Sequence, residues 1–200
     1  MKKASRSVLF ALLITPALHA GGFSDDFSKP NSENRQALRG AWTFEQNVAH
    51  CVADPELYKK HQNHGPILRW AHAFTNGEID FEIMPVDCQR LVFTLNDKGH
   101  VFRFSLSDAK RSRIFGWATQ SSKENKPETL AQEGVPTLEA LNQQWTKVHL
   151  AIKGDESDIR IGDYSAKLTH ACLARSKGEV TISFAEGELS IRKVNVKSDT

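Results

Sequence analysis

The segment 77–83 alternates acidic and apolar side chains without a break, and it holds three carboxylates. In a β-strand, side chains at positions i, i+2 and i+4 share one face, so Glu78, Asp80 and Glu82 form one acidic row. Retaining cleavage of a glycosidic bond requires two carboxyl groups about 5–5.5 Å apart. A third carboxylate between them raises the pKa of one of them by like-charge repulsion. The pattern also fits a salt-bridged surface strand, and both interpretations stay open.

The elements that must position this row are predicted to be strands. Short runs that alternate or contain β-branched residues occur at 67–70, 78–83, 91–95, 100–106, 148–152, 158–161, 180–184 and 188–196. Turn residues separate them, among them Asn96-Asp97-Lys98-Gly99, Gly154-Asp155 and Glu186-Gly187. Many short strands with tight turns predict an all-β antiparallel sandwich.

If the strands at 78–83, 91–95 and 100–106 form one meander, their outward positions share a face with the acidic row. That face would carry Arg69, Thr94, Asn96 and Arg103 beside the three acids. Carboxylates and amides suit sugar hydroxyls, and arginine suits negative groups. We therefore expect Arg69, Asn96 and Arg103 to bind a ligand, although cross-strand ion pairs would give the same pattern.

Three further residues are candidates for ligand contact. His64 precedes a flexible glycine and a strand, and His100 flanks a turn, so either ring could lie near a cleft and transfer protons. Trp117 lies in a polar stretch next to Gly116, where a ring could stack on a sugar. For each of them an ordinary packing or turn-flanking role remains open.

His50, Cys51, His61 and His64 fall within fifteen residues. Imidazole and thiolate are ligands of zinc or copper, so a metal ion here is an alternative. The spacing matches no established zinc pattern, and we predict no metal and no other cofactor. The sequence also lacks a Gly-x-Ser-x-Gly elbow, a phosphate loop and a dinucleotide fingerprint. No motif therefore indicates a serine hydrolase, a nucleotide-binding protein or a redox enzyme.

The segment 107–144 is polar and basic, with one strand-like piece at 114–118 and a short helix predicted at 137–142, capped by Thr137. A connection this long in a compact domain is usually functional or mobile. Two interpretations stay open: a solvated excursion, or a lid over the acidic row.

Residues 1–20 have the pattern of a secretory signal peptide: a basic head, an apolar run from Val8 to Ile14, a proline and a small residue at Ala20. The run is too short to cross a bilayer, which needs about 20 residues, and no later segment is apolar enough. We therefore expect a single domain, 21–200, in the periplasm or outside the cell. An oxidising compartment permits one disulfide among Cys51, Cys88 and Cys172, and all three pairings stay open.

Charge argues against one class of partner. Without the three basic residues of the signal segment, the 26 lysines and arginines nearly balance the 24 acidic residues. Binding to nucleic acid needs a basic excess, so we expect no nucleic-acid partner.

The order of landmarks resembles the secreted bacterial 3-keto-disaccharide hydrolase domain family, which belongs to the concanavalin A-like lectins and glucanases. The resemblance is carried by Asp25-Asp26-Phe27, Gly40-Ala41-Trp42, His64-Gly65, Gly77 to Glu82, Asn96 to His100 with Arg103, Trp145, Gly154-Asp155 and a last strand ending at Val194. It implies a concanavalin A-like (jelly-roll) antiparallel β-sandwich and a 3-keto-sugar substrate, with proton abstraction next to a carbonyl.

A second, local resemblance concerns the acidic row alone. Glu78-Ile79-Asp80-Phe81-Glu82 is similar to the Glu-x-Asp-x-Glu core of family-16 glycoside hydrolases. That resemblance implies that Glu78 is the nucleophile, Asp80 its helper and Glu82 the acid/base. The function predicted from the sequence is an exported domain that recognises or processes carbohydrate, with cleavage of a 3-keto-type glycoside as one form. The alternative is a non-catalytic glycan-binding or adhesion module.

Overall fold

The structure, a computed structural model, describes residues 20–199 and consists of two antiparallel sheets packed face to face. Sheet 1 has the strand order β13-β12-β11-β6-β15-β4-β3, with β1 also paired to β15. Its strands are β1 (Ala20–Asp25), β3 (Thr43–Glu45), β4 (Val48–Val52), β6 (Gly77–Val86), β11 (Thr146–Lys153), β12 (Glu156–Ile161), β13 (Tyr164–Thr169) and β15 (Glu188–Asp199).

Sheet 2 faces it, with the strand order β10-β9-β8-β7-β14-β5-β2. Its strands are β2 (Arg35–Leu38), β5 (Ile67–Phe74), β7 (Arg90–Asn96), β8 (His100–Leu106), β9 (Arg113–Gly116), β10 (Glu128–Ala131) and β14 (Lys177–Ala185). The helices are short: α1 (Pro55–Lys60), α2 (Leu138–Leu141) and a 3-10 turn at Ala171–Ala174. Within residues 20–199 no helix is long and apolar enough to cross a membrane.

The predicted all-β antiparallel sandwich is confirmed, and each of the eight predicted strands lies in one of the two sheets. The apolar residues at alternate positions of these strands fill the space between the sheets, as burial of apolar surface requires. Phe81 of sheet 1 stacks on Phe93 of sheet 2 with ring centroids 5.4 Å apart, and Phe93 stacks on Phe104 at 5.0 Å. The glycines of the three predicted turns also adopt positive φ, at Gly99 (130°), Gly154 (61°) and Gly187 (65°).

A buried ion pair ties β1 to sheet 2. The guanidinium of Arg35 donates to both carboxylate oxygens of Asp25, at 2.7 and 2.8 Å. The indole N–H of Trp70 donates to the same carboxylate at 2.9 Å, and Arg35 stacks over the ring of Phe44 at 4.0 Å. Charges are tolerated in a core only when they are paired and hydrogen-bonded in this way.

The segment 107–144 is more ordered than a solvated excursion. It contains β9, β10 and α2, and the predicted cap is confirmed because the hydroxyl of Thr137 accepts from the backbone N–H of Ala140 at 3.2 Å. The strand β10 was missed, since its short polar sequence carries no apolar alternation. Both β9 and β10 extend sheet 2, on the other side of the sandwich from the acidic row. These two strands therefore do not form a lid over that row.

All three cysteines are free thiols. Cys51 and Cys172 are fully buried and Cys88 is half-buried. Burial raises the pKa of Cys51 and of Cys172 to about 11, and that of Cys88 to about 12. The disulfide that the compartment would permit is not formed in this structure.

Candidate functional site

The acidic row is located as its alternation predicted. Ile79, Phe81 and Ile83 point from β6 into the core, with at most 2% of each exposed. Glu78, Asp80 and Glu82 therefore point outward from sheet 1, between the strands β11 and β15. The three carboxylates share one face, which is the first condition for joint chemistry.

Each acid of the row has a basic neighbour. Nζ of Lys197 lies 3.9 Å from Glu78, and Nδ1 of His149 lies 2.7 Å from Oδ1 of Asp80. Glu82 has two cations: Arg192 at 2.6 Å and Lys193 at 3.0 Å. Arg192 in turn stacks over Trp145 at 4.0 Å, which holds it in place.

A bulge explains why two consecutive residues reach Glu82. Neighbours along a regular strand point to opposite faces, but the register of β15 against β6 shifts between Arg192 and Asn195. Lys193 adopts φ of 56°, so its side chain joins that of Arg192 on the outer face. Burial opposes ionisation of Glu82, yet the hydrogen bonds and charges of Lys193 and Arg192 outweigh it, and the pKa of this carboxyl is lowered.

The expected meander is wrong at its first step and right at its second. After β6 the chain crosses to the other sheet through Asp87, which has φ of 53°. There β7 pairs with β8, as expected, but its other neighbour is β14 instead of β6. Strand periodicity reports which face a residue occupies, and it does not report which sheet the strand joins. Arg69, Asn96 and Arg103 therefore lie on the outer face of sheet 2, on the opposite side of the sandwich from the acids.

On that outer face of sheet 2, four of the predicted ligand-binding residues meet. The guanidinium of Arg103 donates to Nε2 of His100 at 2.8 Å, and Nδ1 of His100 lies 2.7 Å from the side-chain oxygen of Asn96. The amide N–H of Asn96 donates to Glu179 at 2.9 Å, and the other oxygen of Glu179 lies 2.5 Å from Nε of Arg69. We call this series of five side chains, from Arg69 to Arg103, the polar relay.

The polar relay fixes the state of its histidine. Since Arg103 can only donate, Nε2 of His100 must accept, and the ring proton must lie on Nδ1 and point to Asn96. This is a neutral imidazole. Burial, and then the charge of Arg103, lower the pKa of His100 to about 4, so the ring stays neutral over the physiological range.

Trp117 packs against two members of the polar relay, His100 and Arg103. Its ring lies 5.1 Å from His100 and 5.5 Å from the guanidinium of Arg103, but only 5% of the residue is exposed. It therefore supports the two polar side chains and has little surface with which to stack on a sugar. The half-buried Phe115, paired directly with Arg103 across the sheet, is the outward aromatic residue here.

Sequence reasoning missed Glu179 and Phe115. Both could have been found by extending the alternation of their strands: Val180, Ile182 and Phe184 are buried, which makes Glu179, Thr181 and Ser183 outward. Ile114 is buried in the same way, which makes Phe115 outward.

The remaining candidates do not converge. His64 is exposed, and its Nδ1 lies within 3.1 Å of the carbonyls of His61 and Gln62, so its polar contacts lie within its own loop. His50 points outward toward Ser190 at 3.1 Å, whereas Cys51 points into the core. Among residues 20–199 no group of three or more histidine, cysteine or acidic side chains is arranged to hold a metal ion.

A groove of about 850 Å³ opens at one end of the acidic row. Its lining mixes acids with lysines, among them Glu78, Asp158, Lys167 and Lys197. Of the three acids in the row, Glu78 alone reaches it.

Comparison with known proteins gives the fold. No protein-family model matches the sequence, and no curated protein matches it either. Among solved structures, the CBM2 module of the evolved Dit of Lactobacillus casei BL23 phage J-1 is similar, with a TM-score of 0.63 and 10% identity over 89% of this chain and 96% of that one.

Two further structures are similar to a comparable degree. The β-glucanase of Bacillus licheniformis has a TM-score of 0.59 and 10% identity over 90% of this chain and 98% of that one. A singly substituted variant of LamA of Zobellia galactanivorans, in complex with laminaritriose and laminaritetraose, has a TM-score of 0.58 and 11% identity over 88% of this chain and 98% of that one. At such identities the likeness establishes the architecture alone, and the expected concanavalin A-like jelly roll is confirmed.

Proposed function

We propose that this protein is an exported carbohydrate-recognising domain, and that its glycan lies on the outer face of sheet 2. The proposal of export, to the periplasm or the cell exterior, depends on the signal-like segment 1–20, which lies outside the described residues apart from the backbone of Ala20. The proposal of carbohydrate recognition depends on the polar relay.

The polar relay is the observation that carries the proposal. Five polar side chains from four strands hold one another by hydrogen bonds and one ion pair, so their orientations are fixed before any ligand arrives. Sugar recognition needs such a preorganised set of donors and acceptors beside an aromatic ring, because each ordered side chain otherwise costs entropy on binding. Phe115 supplies the ring, and Thr94 and Thr181 lie between the two arginines.

The similar structures support this reading. One is named a CBM2 module, and another is a complex with laminaritriose and laminaritetraose. Carbohydrate is therefore the ligand class that we test first, with laminari-oligosaccharides as the first probes.

The experiment places one bulky side chain on each outer face. Thr181→Ile fills the floor between the two arginines of sheet 2, and Ala151→Ile does the same on sheet 1 beside Glu78. Calorimetric titration of the unaltered protein should give saturable binding to a glycan. Thr181→Ile should weaken that binding by about tenfold or more, and Ala151→Ile should leave it unchanged. Loss of binding in Ala151→Ile alone would move the site to sheet 1, and no binding to any glycan would refute recognition.

One observation favours an enzymatic alternative on sheet 1. Asp80 and His149 form a carboxylate–imidazole pair at 2.7 Å, the arrangement that orients a general base. In 3-keto-glycoside cleavage, His149 would remove the proton next to the carbonyl while Asp80 orients its imidazole. The electrons of that C–H bond would then expel the glycosidic oxygen from the adjacent carbon, and the protonated His149 would return the proton to that oxygen. Glu82 suits the acid/base role less well, since a general acid needs a raised pKa and that of Glu82 is lowered.

The two enzymatic roles are separable by mutation. Incubation with a 3-keto-glycoside and with a plain reporter glycoside, followed by chromatography, would detect a product of either reaction. His149→Gln should abolish a 3-keto activity, and Glu82→Gln should abolish plain hydrolysis. Turnover that survives both substitutions would assign the catalysis to other residues, and no product from either substrate would leave recognition as the function.

A further inference from the structure

We propose that the glycan recognised on the outer face of sheet 2 is acidic, carrying a carboxylate or a sulfate ester that Arg103 binds. This inference rests on the proposed function, and it adds the chemical class of the ligand. It is carried by the charges of this face and by the environment of one arginine.

The outer face of sheet 2 has a large excess of positive charge. Its outward strand positions within the described residues hold four arginines and a single acid, Glu179: the arginines are Arg69, Arg90, Arg103 and Arg113. The outer face of sheet 1 is different, because its cations are matched by acids, as in Lys197 with Glu78 and Arg160 with Asp158.

Glu179 cannot neutralise Arg103. Its two carboxylate oxygens are taken by Arg69 at 2.5 Å and by Asn96 at 2.9 Å. Arg103 instead donates to the neutral ring of His100, and it forms an ion pair with no carboxylate among residues 20–199. Its charge is therefore uncompensated.

Arg103 also has an unused donor. Its Nε–H is buried and has no hydrogen-bond partner in the described part of the chain. Nε of Arg69 is also buried, but a carboxylate oxygen of Glu179 lies 2.5 Å from it. A buried, unpaired donor on a charged group is costly, and a site that retains one is poised for an acceptor. A guanidinium presents parallel N–H groups that match the oxygens of a carboxylate or sulfate, whereas a sugar hydroxyl would leave the charge uncompensated.

The neighbours of Arg103 strengthen this preference. Burial, and then the nearby charge of Arg90, lower the pKa of Arg103 below its usual range. Both causes reflect a cation held in a partly dry, positive environment, and the opposite charge of a bound anion would offset both. Arg69 lies in the same cross-strand row, three strand spacings or about 14 Å away, with Thr94 and Thr181 between them. An extended glycan on Arg103 would therefore reach Arg69, whose charge Glu179 already compensates.

The test uses one glycan backbone with and without charge. Laminarin oligosaccharides, their carboxymethylated form and their sulfated form are titrated into the full chain at low and at physiological salt. We expect one acidic form to bind at least about tenfold more tightly than the neutral form, with an advantage that shrinks as salt is added. The tighter of the two acidic forms identifies the anionic group as carboxylate or sulfate.

Variants locate the effect. Arg103→Gln should remove the preference for the acidic form. Arg103→Lys keeps the charge but lacks the parallel N–H groups of the guanidinium, so it should retain only part of the preference. Arg160→Gln removes an arginine from the opposite face and should leave the preference intact. Circular dichroism of each variant confirms that it is folded.

The outcomes separate this inference from the one it rests on. Neutral and acidic forms that bind equally would overturn the acidic ligand and leave glycan recognition standing. A preference that persists in Arg103→Gln, or that disappears in Arg160→Gln, would also overturn it. If none of the three forms binds, glycan recognition itself fails, and the acidic ligand fails with it.

Discussion

Arg103 donates to Nε2 of His100 across 2.8 Å, and this contact decides the protonation of the histidine. A ring nitrogen that accepts from a guanidinium cannot carry a proton, so His100 is held as the neutral tautomer that donates to Asn96. Five side chains from four strands are oriented by this arrangement, although they lie far apart in the chain.

The first prediction concerns pH and His100. Burial and Arg103 lower its pKa from 6.5 to about 4, so between these values the unfolded chain binds a proton that the folded chain does not. The free energy of unfolding should therefore fall as the pH falls from 6.5 to 4, by up to about 1.4 kcal/mol per pH unit for this one group.

His100→Gln is the matched variant, because glutamine keeps a donor and an acceptor but does not titrate. Urea unfolding at several pH values should give a shallower loss of stability in the variant than in the unaltered protein. His72, whose pKa burial also lowers, remains in both proteins and cancels in the difference. Parallel pH profiles would contradict the buried neutral ring.

The second prediction concerns Glu82. Arg192 and Lys193 lower its pKa, so its contribution to stability is present above the unfolded pKa of 4.5 and is lost as the pH falls through the folded value. Glu82→Gln should lower the free energy of unfolding at pH 7 by about 1.5–3 kcal/mol, the usual range for hydrogen bonds to charged groups. Glycan binding should be unaffected, since Glu82 lies on the opposite sheet. A variant of unchanged stability that loses glycan binding would assign Glu82 to the ligand site.

The third prediction concerns the buried pair of Asp25 and Arg35. Arg35→Met leaves the carboxylate of Asp25 buried without its cation, which should cost about 3–5 kcal/mol in the free energy of unfolding. Arg111→Met, which breaks the exposed pair with Asp108, is the control and should cost less than about 1 kcal/mol. Equal effects of the two substitutions in thermal or urea unfolding would show that the Asp25 pair is not buried in solution.

The fourth prediction concerns the thiols. Burial raises the pKa of all three cysteines, to about 11 for Cys51 and Cys172 and to about 12 for Cys88, so the reactive thiolate is scarce at pH 8. Alkylation followed by mass spectrometry should find little modification in the folded protein and three modified cysteines after unfolding without reductant. A disulfide, seen as two thiols that alkylate only after reduction, would contradict the free state.

The sequence by itself determined most of the strands that line the core and their faces, whereas the strands β1 to β4, β10 and β13 were not predicted. The period of two in Glu78 to Ile83 is a local property, because the pleat forces successive side chains to opposite sides wherever the strand lies. The same reasoning located Arg69, Asn96 and Arg103 on an outer face, and the turn residues at Gly154 and Gly187 marked the hairpins correctly. These features follow from sterics and burial within a few residues.

Only the tertiary structure decided which sheet each strand joins, and therefore which outward side chains meet. The crossover after β6 separates the acids from the arginines, and the bulge in β15 brings both Arg192 and Lys193 to Glu82. Pairings between strands depend on the packing of the whole chain, and residues such as Asn96 and Glu179 meet only because β7 and β14 are neighbours. The chemistry at 77–83 could be proposed from the sequence, but the charge that surrounds it and the polar relay on the other sheet could not.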